Sequence, residues 1–488
     1  MPNNRVIVRA CQVFMVALCA LTLAACRGPS GQNVLLITVD TLRPDHLSCY
    51  GYAANQTPQI DALAARGVVF DHAFCDVTWT TPSMASVFTG TYAVHHGLRV
   101  SSQRLAETQT LAAVLRRHGY TTAAIIGSFP VDSTFGLNQG FELYDEDFNT
   151  SILKDDDPAK LAGPLPADAN DVARRNWFML RRLVGAYRPD DQVAARAVRW
   201  LRTERREPFF LWVHFFGPHE KMYVHLTLED LTRRNLQEYD PDVSVADTQV
   251  GVVLRALRAG GLEDRTVVVL HADHGQNLFE RYYVGHGRDL YEPSLRVPLI
   301  IAEPGSGGRR SNAFARNIDI FPTVLDMLGL PLPAGLDGRS LRPAVEHPWL
   351  ARLRQMKEGE TYAETYMSAT GLYRERLQFE QRDYAFGFIR RGVRTREWKY
   401  VENEPVPLVD DPQPPTLPPE LIERTRSGAL YDMQRDPLEG TDVSAAHPEE
   451  VAAMRAKLHA YMADAHNAPE SPLDEASKER LRTLGYAQ

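Results

Sequence analysis

Positive charge is what this sequence most plainly lacks: 54 Lys and Arg stand against 62 Asp and Glu, a formal net charge of −8. Neutralising a nucleic-acid backbone needs a basic footprint, so no nucleic-acid partner is expected. Compositional bias is missing too. Hydrophobic residues at 44%, charged residues at 24%, and 32 each of Gly and Pro lie near globular averages, which excludes collagen, coiled coil and wholesale disorder over 488 residues. No internal repeat is present. Cysteine is scarce, five in all, and Cys11 and Cys19 fall in the apolar leader, so a disulfide framework is excluded. Cys49 and Cys75 then either pair with each other or are buried thiols.

The long apolar stretch, Val6 to Leu23, is short for a membrane span, follows Arg5 and Arg9, and ends in Leu23-Ala24-Ala25-Cys26. That tetrapeptide resembles a bacterial lipobox, with Cys26 at the position that is cut and acylated. The expected division is a lipoprotein signal peptide over 1–25, a tether over 26–32, a catalytic domain over 33–345 and a C-terminal subdomain over 346–488. The chain is expected to be exported and held on the cell envelope, periplasmic or surface-exposed, with the membrane as a partner through the lipid. A transmembrane anchor or an ordinary signal peptide would carry a similar apolar run.

Asn33 to Val39 is a continuous apolar run of the kind a strand buried on both faces requires, and it ends at Asp40. Thr121 to Ile126, Pro208 to His214, Thr266 to Leu270 and Val297 to Ala302 read the same way. Between them lie helical patterns, such as Gln59 to Arg66, introduced by Thr57-Pro58 and stopped by Gly67, and Leu111 to His118, stopped by Gly119. This alternation predicts an α/β fold with a large, mostly parallel sheet sandwiched by helices. Tyr384 to Val401 alternates as an antiparallel hairpin does, and Pro448 to Ala465 reads as a terminal helix, so a smaller C-terminal antiparallel sheet plus helix is expected. Asn149 to Asn170 and Glu402 to Pro419, dense in Asp, Ala or Pro, read as insertions or linkers.

Ligands of parallel sheets bind beyond the carboxyl ends of the strands, where Asp40, His214 and Asp273-His274 all fall. Two carboxylates and an imidazole are ligands for a divalent cation, Ca or Mn by their oxygens and Zn by their nitrogens, and one or two ions are expected. In the segment from Trp79 to Gly90, Pro82 and Gly90 bracket a short helix whose N-terminus lies beside Thr80, and free amides there favour an alkoxide or an anion. Thr80 or Thr81 serving merely as N-cap is the competing reading. His271 would face the same side as Asp273, and His96, before Gly97, would hold a turn.

Taken together these segments resemble the sulfatase family of the alkaline phosphatase superfamily. Val39 to Gly51 is similar to the family's opening metal motif, Thr80 to Gly90 to its Cys/Ser-x-Pro-Ser-Arg signature, and Ala272 to Gly275 to its second metal motif. Asp319 to Thr323, Asp337 to Leu341, Val393-Arg394 with Trp398 to Tyr400, and Tyr431-Asp432 with Asp436-Pro437 continue the resemblance. It implies Asp40, Thr80, Asp273 and His274 as the metal site. The departures are Thr80 where strict sulfatases convert Cys or Ser to formylglycine, Met84 where the signature has Arg, and Thr41 where many members have a second Asp. Val213 to His219 and the pair Asp273-His274-Gly275 and Gly285-His286-Gly287 are similar to segments of phosphoethanolamine transferases. That likeness implies Thr80, His219 and His286 as catalytic residues, the two histidines lining the phosphoryl pocket or holding a second metal. His214, Arg43 and Lys221 are the candidates for substrate binding, the last two because they would replace missing positive charge. The expected activity is metal-dependent hydrolysis of a sulfate or phosphate ester through Thr80, on a sulfated or phosphorylated glycan, lipid or small molecule. A phosphodiesterase, a phosphoethanolamine-type transferase and a non-catalytic binding protein are the alternatives.

Overall fold

The computed structural model describes residues 31–100, 103–148, 187–219, 228–280, 284–346, 359–366, 375–379, 382–407, 427–469, 473–474 and 477. The leader with Cys26, the 149–170 insertion, Lys221 and the 408–419 part of the second linker lie outside them. Among the described residues no helix is long and apolar enough to cross a membrane.

The large sheet uses β1 (Asn33–Val39), β2 (Val68–Phe74), β3 (Thr121–Ile126), β4 (Leu143–Asp145), β5 (Phe209–Phe215), β6 (Thr266–His271), β9 (Leu299–Ala302) and β10 (Arg309–Arg316). Its order is β10-β2-β9-β6-β1-β5-β3-β4. Within it β9 runs antiparallel to β2 and β6, and every other pairing is parallel. The expected mostly parallel sheet is thus present. All residues of β1, β5 and β6 are buried, which is why these strands read as unbroken apolar runs. A two-stranded ribbon, β7 (Asn277–Leu278) and β8 (Val284–Gly285), stands between the Asp273-His274 and His286 segments.

Helices cover the sheet: α1 (Pro58–Ala64), α2 (Thr80–Thr89), α3 (Ala93–His96), α4 (Leu111–Arg117), α5 (Asp190–Thr203), α6 (Leu228–Ala259), α7 (Glu292–Leu295), α8 (Ile320–Met327) and α9 (Arg342–Glu346). The C-terminal sheet comprises β11 (Thr361–Tyr366), β12 (Glu375–Phe379), β13 (Arg382–Arg394), β14 (Trp398–Pro407) and β15 (Ser427–Asp432), all antiparallel, with α10 (Pro448–Tyr461) packed on it. The expected hairpin is β13–β14. One expectation is corrected here: residues 402–407 belong to β14, because pairing with β13 places Pro405 and Pro407 opposite Phe388 and Phe386 and overrides the linker-like composition.

The two sheets are locked by a buried charge cluster. Lys399 Nζ lies 3.1 Å from Glu292 Oε1 of α7 and 2.7 Å from Glu439 Oε1, and Arg394 Nε donates to Glu292 Oε1 at 3.1 Å. Burial opposes ionisation, yet Lys399 and Arg394 hold the Glu292 carboxyl down to about 2. Lys399→Met would leave two buried acids short of a cation, at a cost of about 3–5 kcal/mol. A urea midpoint unchanged by that substitution would show the cluster to be energetically idle.

Candidate active site

The crevice is built where three parallel strands end side by side. Register places Thr38 of β1 beside His214 of β5 and His271 of β6. Asp40, just past β1, and Asp273, two residues past β6, consequently meet His214 at the sheet's carboxyl edge. One ligand atom from each of Asp40, His214 and Asp273 lies within 4.8 Å of the others, and all three residues are buried. His214 Nε2 is 3.8 Å from Asp40 Oδ2. His274 Nε2 is 3.4 Å from Asp273 Oδ2.

The turn that delivers Asp40 is strained. Thr41 has φ of 55°, a left-handed conformation unfavourable for a β-branched residue. The strain directs the Thr41 N–H to Asp273 Oδ1 at 3.2 Å, while Tyr239 of α6 donates its hydroxyl to Thr41 O at 2.8 Å and accepts Arg43 N–H at 3.0 Å.

The donor set suits a cation. Among the described residues Asp273 Oδ2 has no hydrogen-bond partner, and neither does either ring nitrogen of His214. Buried polar atoms are rarely left this way unless a group outside the protein, such as an ion or water, satisfies them. Burial also holds the His214 ring down to about 4, so it is a neutral, lone-pair-bearing imidazole. His214, read as a substrate-binding residue, therefore sits in the candidate metal cluster itself.

Thr80 opens α2. Its Oγ1 lies 3.2 Å from His274 Nε2 and 3.4 Å from Asp40 Oδ2. The His274 Nδ1–H donates to Gly275 O at 2.9 Å, so in the neutral ring Nε2 carries the lone pair that faces Thr80. The N-cap reading of Thr80 and Thr81 is corrected: the N-cap is Trp79, without a side-chain cap, and the Thr81 hydroxyl donates to Pro130 O at 2.6 Å.

His219 and His286 form the opposite wall, their Nε2 atoms 3.0 Å apart. His286 Nδ1 is 3.2 Å from Thr78 O, which can only accept, so Nδ1 carries a proton. Burial, with His274 and His219 alongside, holds His286 well below the usual imidazole value. The neutral His286 then presents a lone pair at Nε2, and the short contact requires the proton to sit on His219 Nε2. His286 also packs 4.4 Å from the His274 ring, which ties this wall to Thr80.

Arg43 does not bring free charge to the crevice, and its expected substrate-binding role is corrected. Its guanidinium donates to Asp45 Oδ1 and Oδ2 at 3.0 and 2.7 Å, to Gln276 O at 3.0 Å and to Glu280 Oε1 at 2.6 Å. Those acids raise its pKa further, against the opposing effect of burial. Met84, at the position of the signature's Arg, is buried with its sulfur 4.0 Å from the Thr38 hydroxyl. That hydroxyl also meets His271 Nε2 at 2.9 Å and accepts the Trp212 indole N–H at 3.0 Å. Cys49 and Cys75 are both free thiols.

His96 holds a buried relay rather than substrate. Leu98 N–H donates to His96 Nδ1 at 3.2 Å, which leaves His96 Nε2–H to donate to Ser86 Oγ at 2.9 Å, and Ser86 donates to Asp76 Oδ2 at 2.7 Å. Asp76 Oδ2 also accepts Ala93 N–H at 3.0 Å, and burial pushes this carboxyl up to about 7. A carboxyl raised on folding binds its proton more tightly in the native state than in the unfolded chain. Stability is therefore highest below pH of about 4 on this account and is lost as pH rises through about 7, by on the order of 4 kcal/mol at most. Asp76→Asn should flatten that part of the stability–pH curve in chemical denaturation at pH 5 and pH 8. An unchanged slope in the variant would assign the effect to other groups.

Two family models match this chain: one described as sulfatase over residues 32–330, and one described as N-sulphoglucosamine sulphohydrolase, C-terminal, over 281–402. N-acetylglucosamine-6-O-sulfatase of Bacteroides thetaiotaomicron is 25% identical over 523 aligned positions, covering 88% of this chain and 86% of that protein. Among solved structures, phosphonate monoester hydrolase of Agrobacterium radiobacter superposes with a TM-score of 0.64 at 22% identity, over 88% of this chain and 95% of that one. A protein solved with its substrate D-glucosamine-2-N,6-O-disulfate superposes with a TM-score of 0.62 at 19% identity, over 89% and 98%. The sulfatase match spans well over half of the chain and runs from the start of β1 past α8, through Asp40, Thr80, His214, His219, Asp273, His274 and His286, and the chain therefore belongs to the sulfatase family of the alkaline phosphatase-like superfamily.

Proposed function

We propose that this ester hydrolase uses the unmodified Thr80 hydroxyl as its nucleophile, beside a divalent cation held by Asp40, Asp273 and His214, with a singly charged phosphoester as its preferred substrate. The observation that carries this reading is the position of Thr80 Oγ1 at a helix N-terminus, 3.2 Å from His274 Nε2 and 3.4 Å from Asp40 Oδ2. A divalent cation bound there supplies Lewis acidity and lowers the pKa of the hydroxyl it touches.

His274 Nε2 accepts the Thr80 proton. The Thr80 oxygen attacks phosphorus in line, the P–O bond to the leaving alcohol breaks with its electron pair on that oxygen, and His219 Nε2–H supplies the proton. Water then attacks the phospho-threonine, giving its proton to His219, while the bond to Thr80 Oγ1 breaks and His274 returns its proton to that oxygen, restoring the hydroxyl. The positive end of the α2 dipole faces the charge that develops.

Charge selects the ester. Burial holds His214 and His286 neutral, Met84 replaces a cation, and the Arg43 fork is filled by two acids. One divalent ion against two aspartates leaves little positive charge for a dianion, which supports a phosphodiester or phosphonate monoester over a phosphate monoester. A sulfate ester carries the same single charge, and the family favours it; what weighs against it is Thr80, which lacks the Cys or Ser from which formylglycine is made. The leader ending at Cys26 supports placing this activity on a lipid-anchored protein of the cell envelope.

Turnover of an aryl sulfate, an aryl phosphate and a bis-aryl phosphodiester, each with Ca, Mn or Zn, tests the reading. Phosphodiester turnover above the other two is expected. Sulfate turnover above both phosphoesters would overturn the substrate choice, and no turnover by a folded, metal-bound protein would favour a binding role.

A further inference from the structure

The small C-terminal sheet reaches the crevice through residues whose role nothing above assigns. Thr365, in β11 and buried, donates its hydroxyl to Gly287 O at 2.7 Å. Arg390 of β13 donates to Arg288 O, and the Thr78 hydroxyl reaches Asp289 O at 3.4 Å. The Trp79 indole N–H donates to Tyr366 O at 3.2 Å, and its ring stands edge-on to His286 with centroids 5.0 Å apart. The packing leaves no slack: Gly287 has φ of 78°, and a Cβ added to it would lie 2.2 Å from the Trp79 ring. His286 thus sits between a tryptophan wedge and a backbone segment pinned from the other sheet. Its Nδ1–H hydrogen bond goes to Thr78 O, in the residue before that tryptophan.

We infer that Thr365, acting with Trp79, is a positioning residue: the C-terminal sheet holds the 286–288 segment so that the His286 imidazole stays 3.0 Å from His219 Nε2. The inference rests on the proton-donor role proposed for His219, whose Nε2 is held by His286. Thr365 touches no reacting atom. Its hydroxyl supplies one buried hydrogen bond to the backbone beside His286, and displacements of about 1 Å at a catalytic group cost on the order of 10²-fold in rate. The C-terminal subdomain is accordingly part of the working site.

The test uses the full chain with Thr365→Val, Thr365→Ser, His286→Asn and the Thr365→Val/His286→Asn double variant. Thr365→Val is expected to lower kcat on the aryl ester that the protein turns over by about tenfold, with KM changed less than about twofold, and Thr365→Ser to restore it. In the His286→Asn background Thr365→Val should add nothing, since the residue it positions is gone. The His286 ring resonances, assigned by their loss in His286→Asn, should shift in Thr365→Val and return in Thr365→Ser. An equal kcat loss in both backgrounds, or unmoved His286 resonances, would overturn the positioning role. If Thr365→Val fails to fold, Trp79→Phe, which keeps an aromatic ring but removes the indole N–H, takes its place with the same expected pattern. A His286→Asn variant as active as the parent would instead remove the catalytic role beneath the inference, a failure distinct from full His286 dependence with an inert Thr365.

Discussion

Thr80→Ala should lower kcat by about 10³-fold or more while leaving the thermal midpoint nearly unchanged. The rate loss follows from removing the atom that forms the covalent bond, since nucleophile deletions in comparable machinery reach several orders of magnitude. The preserved stability follows from α2 itself. Its N-cap is Trp79, so the substitution removes no capping side chain, and alanine is the best helix former at a first-turn position. The two effects separate the nucleophile from a structural threonine, for which stability would fall and rate would not. Thr80→Ser keeps a hydroxyl at the same carbon and should retain measurable turnover. A Thr80→Ala protein that keeps a tenth or more of the parent's kcat would exclude the hydroxyl as nucleophile.

The second large effect concerns the cation, and here a single substitution should act with opposite signs in two conditions. In chelator, Asp273→Asn should be as stable as the parent or more so, because it removes one of two buried carboxylates whose oxygens lie within 4.8 Å in the Asp40–His214–Asp273 group. The hydrogen bonds that Asp273 Oδ1 accepts from Thr41 N–H and His274 N–H survive in the amide. With Ca, Mn or Zn present the order should reverse. An ion at 100 times its Kd stabilises the parent by about 2.7 kcal/mol, a gain the variant forfeits along with turnover. Denaturation midpoints of both proteins, with and without each ion, check this, and an equal metal-dependent gain in the variant would remove Asp273 from the ligand set. The ion with the largest gain identifies the preferred metal, which the mixed oxygen and nitrogen donor set leaves open.

Much of the site was legible along the chain because its signals are local. Asp40 ends an apolar run, Thr80 opens a helix bracketed by Pro82 and Gly90, and Asp273-His274 follows another apolar run. Each is a strand end or helix start encoded within a dozen residues, and in a parallel sheet such ends share one edge. Among the strands that the sequence does not mark, β2 and β10 carry charged and polar residues along their length, as Val68–Phe74 and Arg309–Arg316 show, so no continuous apolar run marks them.

The partners of each side chain were decided only by the tertiary structure. Arg43 looked available until Glu280, 237 positions away, and Asp45 filled its fork. His214 read as a strand-end histidine, and only register with β1, which leaves both its ring nitrogens without a hydrogen-bond partner among the described residues, places it in the cation cluster. Thr365 carried no motif at all; it reaches the crevice because β11 docks beside residues 76–78, with Glu364 N–H on Asp76 O at 2.8 Å. Periodicity and helix capping are short-range and can be read residue by residue, so the sequence by itself determined the strand-and-helix alternation and the places where chemistry-bearing residues emerge. Which donor satisfies which acceptor across hundreds of positions depends on how the finished surfaces pack, and packing exists only once the chain has folded.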